Sequence, residues 1–184
     1  MLFSLPNILT LLRIVAIAPI VVLFYVDGNW TNWAAFGLFA VAGVTDFFDG
    51  YLARATGQVS KLGRFLDPIA DKLLVAAVIL MLVAVGDLSG YAVLPGLVIL
   101  IREITVSGLR EYLAEVRVGV PVSSLAKWKT TIQMLALGFL IVGEASPAMI
   151  PSTLIGEVLI WIAAALTVIT GFDYLRAGLK HMTD

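Results

Sequence analysis

Long apolar segments, each about 20 residues in length, restrict the folds open to this chain, because such a segment crosses a bilayer once as a helix. Glycine, proline and polar residues punctuate the turns between the segments. With 60% hydrophobic residues and a mean hydropathy of +1.01, the chain is predicted to be an all-α integral membrane protein. The prediction is one domain, residues 1–184, with a short N-terminal interfacial helix and six transmembrane helices near 8–26, 32–54, 67–86, 91–114, 123–143 and 153–177.

The basic residues are unevenly distributed along the chain. They concentrate near the N-terminal segment, the 54–67 loop, the 110–129 region and the C-terminus, whereas the connections near 27–33, 86–91 and 143–153 contain none. The positive-inside rule therefore predicts that both chain termini and the 54–67 loop are cytoplasmic. The absence of cysteine excludes disulfides, thiolate metal sites and a cysteine nucleophile.

Four aspartates lie beside the loop between the second and third apolar segments. Asp46 and Asp49 are three residues apart, and Asp67 and Asp71 are four apart, so each pair occupies one helix face. The short loop 55–66 predicts antiparallel neighbouring helices, which would bring both pairs to one depth just inside the cytoplasmic surface. Carboxylates within a bilayer are costly unless a cation or a watery cavity compensates them.

A metal site accounts for these acids with the fewest assumptions. An all-oxygen ligand set suits Mg²⁺ or Mn²⁺, and the only histidine, His181, lies far away near the C-terminus, which argues against zinc. The alternative is a structural salt-bridge network between the acids and nearby basic residues, namely Arg54, Lys61, Arg64 and Lys72.

Two arginines lie inside apolar segments. Arg13 is in the first segment, where it could snorkel toward the interface or bind a ligand. Arg102 follows five apolar residues in the fourth segment, where a charge suggests function. Its neighbour Glu103 is expected to be a poor partner, because adjacent side chains diverge on a helix.

The aspartates belong to the string Asp46-x2-Asp49-Gly50-x2-Ala53-Arg54-x8-Gly63-x3-Asp67-x3-Asp71. This string resembles the complete signature of the CDP-alcohol phosphotransferase family. The flanking sequence, including Leu5-Pro6-Asn7 at the start and Ala126-Lys127-x-Lys129 later, is similar to the bacterial branch that uses glycerol 3-phosphate as acceptor. The resemblance spans most of the chain.

The resemblance implies transfer of a phosphatidyl group from CDP-diacylglycerol to sn-glycerol 3-phosphate, with release of CMP. It implies that the four acids hold Mg²⁺ or Mn²⁺, two ions in all, and that Asp71 is also the general base. It further implies a CDP-diacylglycerol pocket that includes Asp46 and is otherwise formed by Asn7, Thr10, Arg13, Gly50, Ala53, Arg54, Ser60 and Gly63.

Cations are also expected for the acceptor, because glycerol 3-phosphate is close to a dianion at neutral pH. Arg102, Arg110, Lys127 and Lys129 are the candidates, although Lys129 could equally be an interfacial anchor. The resemblance implies a homodimer in the bacterial cytoplasmic membrane, with the active site facing the cytoplasm and no nucleic-acid partner.

Other interpretations remain open at this point. Another member of the family would keep the acids but use inositol phosphate, serine or phosphatidylglycerol as acceptor. A cation transporter would also place acids within the membrane, although it usually needs a continuous path with half-helices or repeats. A non-catalytic scaffold would keep the helices without needing every position of the signature.

Overall fold

The computed structural model describes residues 5–56, 61–116, 118 and 124–179, without the side chains at 5, 6, 46–56, 61, 62, 64, 124 and 177. No strand occurs in these ranges, which confirms the all-α prediction. Short 3₁₀ turns at Gly90–Ala92 and Gly143–Ala145 accompany the α-helices. The α-helices are α1 (Leu5–Leu23), α2 (Asn29–Thr56), α3 (Lys61–Val85), α4 (Val93–Glu115), α5 (Ser124–Val142) and α6 (Ser152–Leu179).

Several helices are long and apolar enough to cross a bilayer. Four such segments occur in the described residues, at Phe65–Val85, Gly90–Glu115, Leu125–Ala145 and Ser152–Arg176. A shorter apolar helix spans Asn7–Leu23. The chain is therefore a multi-pass membrane protein, and a count of six crossings stays a prediction.

The helix ends differ from the predicted ones at two places. α3 begins at Lys61 rather than near 67, because Lys61–Leu66 contains good helix formers and only one glycine, which costs about 1 kcal/mol relative to alanine. Gly63 is therefore a buried helical residue and not part of a loop. α1 already includes Pro6 and Asn7, so no separate interfacial helix precedes it within the described residues.

The helices form two compact units, and α5 and α6 contribute residues to both. The first unit comprises residues 1–88 and 138–153. Within it, α1 packs against both α2 and α3. Asn32 of α2 donates from Nδ2 to the carbonyl oxygen of Ile141, 3.1 Å away, at the end of α5. The core of the first unit consists of aliphatic side chains and one aromatic ring, including Ile20, Ala35, Phe39, Ala70, Leu74, Val78 and Leu82.

The second unit comprises residues 89–137 and 154–184. Its core lies among α4, α5 and α6 and includes Ile99, Val106, Leu113, Leu137, Ile160 and Ala163. α6 lies close to α4: a Cβ atom added at Gly178 would be only 2.9 Å from the Leu109 side chain. Gly171 is similarly close to Arg102, so two small residues allow α6 to lie against side chains of α4.

Candidate active site

One face of α1 is polar despite being almost completely buried. Asn7, Thr10 and Arg13 are spaced three residues apart, and their exposed fractions are 1%, 0% and 2%. Three-residue steps keep side chains on one side of a helix. A buried arginine on an otherwise apolar helix requires a partner of opposite charge or strong hydrogen-bond acceptors.

Two residues of this face, Thr10 and Arg13, contact the aspartates of α3. Thr10 donates its hydroxyl to Oδ1 of Asp67 at 2.7 Å. Arg13 donates from NH1 to Oδ1 of Asp71, also at 2.7 Å. The Arg13 side chain is fully buried in this ion pair, whereas that of Asp71 is 49% exposed. Asp67 and Asp71 therefore share one helix face, as predicted, and α1 holds both of them.

These two carboxylates fit the predicted divalent-metal site in chemistry. They are hard oxygen donors of the kind Mg²⁺ and Mn²⁺ prefer, and the Asp71 side chain is half exposed although it is paired with Arg13. No group of three or more His, Cys, Asp or Glu suited to a metal occurs among the described side chains. The other two predicted ligands are Asp46 and Asp49, and the structure describes only the backbone at these two positions.

The remaining residues predicted for the donor pocket lie between positions 50 and 63. Gly50, Ala53 and Arg54 belong to the last turns of α2, and only their helical backbone is described. Ser60 lies outside the described residues altogether. Gly63 is buried in the first turn of α3, four residues before Asp67.

The second unit contains a separate polar network built around Glu103 of α4. Lys129 of α5, only 4% exposed, pairs through Nζ with Oε1 of Glu103. Arg102 NH1 is 3.3 Å from the same oxygen, and Arg102 NH2 donates to Oγ1 of Thr170 on α6 at 3.2 Å. One carboxylate thus faces two cations, and the network links α4, α5 and α6.

This network changes the interpretation of two residues. Lys129 is ion-paired in the interior of the second unit, so it is not an interfacial anchor. The expectation that Glu103 is a poor partner for Arg102 was wrong, because two long side chains can meet even when their Cβ atoms diverge. Within the described residues, Arg102 Nε is buried without a hydrogen-bond partner.

The remaining predicted cations are more accessible. Arg110 is exposed, and its guanidinium carbon lies 5.6 Å from the centre of the Tyr174 ring on α6, within the range of a cation–π contact. Lys127 is exposed on the first turn of α5. Arg102 and Lys129 share the Glu103 carboxylate, and Arg110 contacts α6 one turn after Thr170, so three of the four predicted cations lie in one neighbourhood of the second unit.

Sequence reasoning missed several members of this neighbourhood. Glu103, Thr170 and Tyr174 contact the predicted cations but were not predicted as site residues. Gln133, four residues after Lys129 on α5, was not predicted as a site residue either, and its Oε1 is buried without a partner in the described residues. The available signal was the four-residue spacing of Lys129 and Gln133, which places two polar side chains on one face of an apolar helix.

The fold and these two polar regions define a class of protein. It is a multi-pass helical membrane protein with paired carboxylates on one membrane helix and a cluster of cations among three others. The family model for CDP-alcohol phosphatidyltransferases matches residues 3–169, and the chain belongs to that family. This match confirms the family resemblance found in the sequence.

Individual relatives are similar over nearly their whole length. A protein of Rickettsia bellii is 49% identical, with 97% of each chain covered. One from Cereibacter sphaeroides is 41% identical over 99% of this chain and 98% of its own. A third, from Shigella flexneri, is 41% identical with the same coverage. All three are named CDP-diacylglycerol–glycerol-3-phosphate 3-phosphatidyltransferase.

Proposed function

We propose that this chain transfers the phosphatidyl group of CDP-diacylglycerol to sn-glycerol 3-phosphate, giving phosphatidylglycerophosphate and CMP. The observation that carries the proposal is the matched pair of contacts that fix Asp67 and Asp71 on one face of α3, within the complete family signature. The shared name of relatives at 41–49% identity supports glycerol 3-phosphate as the acceptor.

In the reaction, the acceptor's primary hydroxyl oxygen forms a bond to the phosphatidyl phosphorus, and the bond from that phosphorus to CMP breaks. The hydroxyl proton goes to a base, and the bridging oxygen leaves with CMP. We assign the base to Asp71, whose half-exposed carboxylate is fixed by Arg13. A general base must lie within hydrogen-bond reach of the hydroxyl that it deprotonates, and the exposed half of this carboxylate leaves room for such a contact.

The metal requirement follows from the charge of the donor. Asp46, Asp49, Asp67 and Asp71 are the proposed ligands for Mg²⁺ or Mn²⁺, which would neutralise the pyrophosphate and the charge that develops on CMP. Asn7, Gly50, Ala53, Arg54, Ser60 and Gly63 complete the proposed donor pocket. We favour two ions, which these four carboxylates would hold.

The acceptor phosphate is assigned to the cations of the second unit. Arg102, Arg110 and Lys129 carry three positive charges, and Glu103 offsets one of them. The excess of positive charge suits the dianion of glycerol 3-phosphate, and Lys127 adds a further exposed cation. The family match covers parts of both units, so we treat the chain as one functional domain.

The direct test is incubation of the purified protein with CDP-diacylglycerol, Mg²⁺ and a panel of acceptors, following both CMP release and the lipid product. Glycerol 3-phosphate should be the preferred acceptor over inositol phosphate, serine, phosphatidylglycerol and glycerol. A preference for another member of the panel would refute the acceptor assignment while leaving the family unchanged.

Asp67→Asn is the sharpest variant for the metal mechanism. Asp67 accepts a hydrogen bond from a neutral hydroxyl, so an amide there leaves no buried cation uncompensated. We expect turnover to fall on the order of 100-fold or more, as when charge stabilisation is lost from a transition state. Asp27→Asn, in an exposed turn, is the matched control and should retain activity. Full activity in EDTA, or in Asp67→Asn, would contradict the mechanism.

A further inference from the structure

The polar face of α1 contacts protein acids directly. Thr10 Oγ1 and Arg13 NH1 each lie 2.7 Å from a carboxylate oxygen of α3, and both residues are almost completely buried. The family resemblance had implied a role for them in the donor pocket. A fully buried hydroxyl that donates to a carboxylate is instead placed to orient that carboxylate.

We infer that Thr10 and Arg13 are positioning residues, which orient the carboxylates of Asp67 and Asp71 without binding the metal themselves. Thr10 fixes the direction of the Asp67 carboxylate. The inference rests on the proposed function, since it assumes that these aspartates bind a divalent cation. On this inference, α1 holds the two carboxylates in their metal-binding orientation before substrate binds.

The physical reason is rotamer freedom. An aspartate at a helix surface can adopt several side-chain rotamers, and a metal ligand must adopt one of them. The Thr10 hydroxyl bond selects one Asp67 orientation, and the charge-assisted bond from Arg13 does the same for Asp71, four residues along the same helix. Outer partners of metal ligands typically contribute about 10- to 100-fold to metal affinity.

Thr10 provides a clean test, because valine has nearly the shape of threonine and lacks the hydroxyl. Binding of Mn²⁺ alone to the full-length protein in detergent, measured by electron paramagnetic resonance without substrate, should weaken about 10- to 100-fold in Thr10→Val. Thr10→Ser, which keeps the donor, should bind Mn²⁺ as the parent does. Thr105→Val is the matched control, because the Thr105 hydroxyl bonds the carbonyl of Ile101 in its own helix.

Kinetics separate positioning from donor binding. In Thr10→Val the Mn²⁺ concentration for half-maximal activity should rise, while the KM for CDP-diacylglycerol at saturating Mn²⁺ should stay near the parent value. If Thr10→Val does not fold, Thr10→Cys replaces it: the thiol is a weak donor, so Mn²⁺ binding should fall between the parent and the loss expected for valine.

The inference would be overturned, with the proposed function left standing, if Thr10→Val bound Mn²⁺ as tightly as the parent. Where Thr10→Cys replaces the valine variant, Mn²⁺ binding equal to that of the parent would have the same meaning. A raised donor KM at saturating Mn²⁺ with unchanged metal affinity would do the same and would return Thr10 to the donor pocket. Absence of Mn²⁺ binding by the parent, together with activity in EDTA, would instead refute the proposed metal mechanism and the inference with it.

Discussion

Arg13 and Lys129 are 2% and 4% exposed, and each pairs with a carboxylate of another helix. Removing one partner of a buried ion pair typically costs about 3–5 kcal/mol, because the other charge is left in an apolar environment. Asp71→Asn and Glu103→Gln therefore combine a functional change with a stability change. Variants at exposed cations leave no buried charge unpaired, so their kinetic effects report on substrate binding without a large change in stability.

Arg110 and Lys127 are such exposed cations. Arg110→Ala and Lys127→Ala should each lower kcat/KM for glycerol 3-phosphate about 10- to 100-fold, the equivalent of one charge-assisted bond, with little change for CDP-diacylglycerol. Arg110→Lys should not fully restore the loss where bidentate phosphate contact is used. Steady-state kinetics with each substrate varied in turn measure the separation.

The control for this prediction is Arg176→Ala, an exposed arginine in the last turn of α6, which should leave both constants unchanged. Glycerol, which lacks the phosphate, should be a poor acceptor and almost insensitive to these substitutions. An unchanged KM for glycerol 3-phosphate in both Arg110→Ala and Lys127→Ala would contradict the assignment of the acceptor cations.

Asp87 lies between α3 and α4, outside the membrane-spanning segments. Burial raises the pKa of Asp87, and the nearby charge of Glu144 raises this pKa further. An acid whose folded-state pKa is raised destabilises the fold when ionised, so stability declines as pH rises from the ordinary Asp pKa through the folded-state value. The cost is fully present above that value.

Asp87→Asn should therefore be more stable than the parent at neutral pH. The gain should be less than about 1 kcal/mol, because Asp87 is partly exposed and solvent screens its charge. Thermal unfolding in detergent at pH 7 and at a pH below the ordinary Asp range would measure it, and the difference should disappear at the lower pH. A variant that is less stable at pH 7 would disprove the prediction.

At the scale of helices, α1 and α6 determine where charged side chains lie. α1 packs against both α2 and α3 and carries the two residues that contact the α3 acids. α6 supplies Thr170 as an acceptor for Arg102, and Gly171 one residue later. A Cβ added at Gly171 would lie 3.0 Å from Arg102 Cγ, so only glycine leaves Arg102 its present position.

Gly171→Ala should displace Arg102 by a few tenths of an ångström and weaken its bond to Thr170. We expect a several-fold rise in KM for glycerol 3-phosphate with an unchanged KM for CDP-diacylglycerol. Gly108→Ala on α4 is the matched control, since a Cβ there meets nothing within 4 Å. Equal acceptor KM values for the two alanine variants would contradict a role for Arg102 in acceptor binding.

At the scale of the whole molecule, orientation in the membrane decides whether the acids can meet cytoplasmic nucleotide. Basic residues favour the cytoplasm for the segments 55–66 and 115–122, and their absence favours the opposite side for 27–32 and 144–152. The chain has no cysteine, so single cysteines report each segment without background.

Met149→Cys, at a position that is 94% exposed, should react with an impermeant maleimide in intact spheroplasts. Gln58→Cys should react only after the membrane is opened. Labelling of Gln58→Cys from outside would reverse the orientation and separate the proposed active site from its nucleotide donor.

The sequence alone determined the class of structure and the family signature that contains the candidate acids. Apolar length fixes which segments can cross a bilayer, because that depends on composition rather than on neighbours. The four-residue spacing of Asp67 and Asp71 likewise fixes their common face, because it depends only on helix geometry. Family membership followed from the signature and was confirmed by the comparison.

Only the tertiary structure decided which charges are paired. Thr10 and Asp67 are 57 residues apart in sequence, and Lys129 and Glu103 are 26 apart. Such pairs depend on which helices pack together and on how each helix is rotated, and neither follows from the composition of one segment.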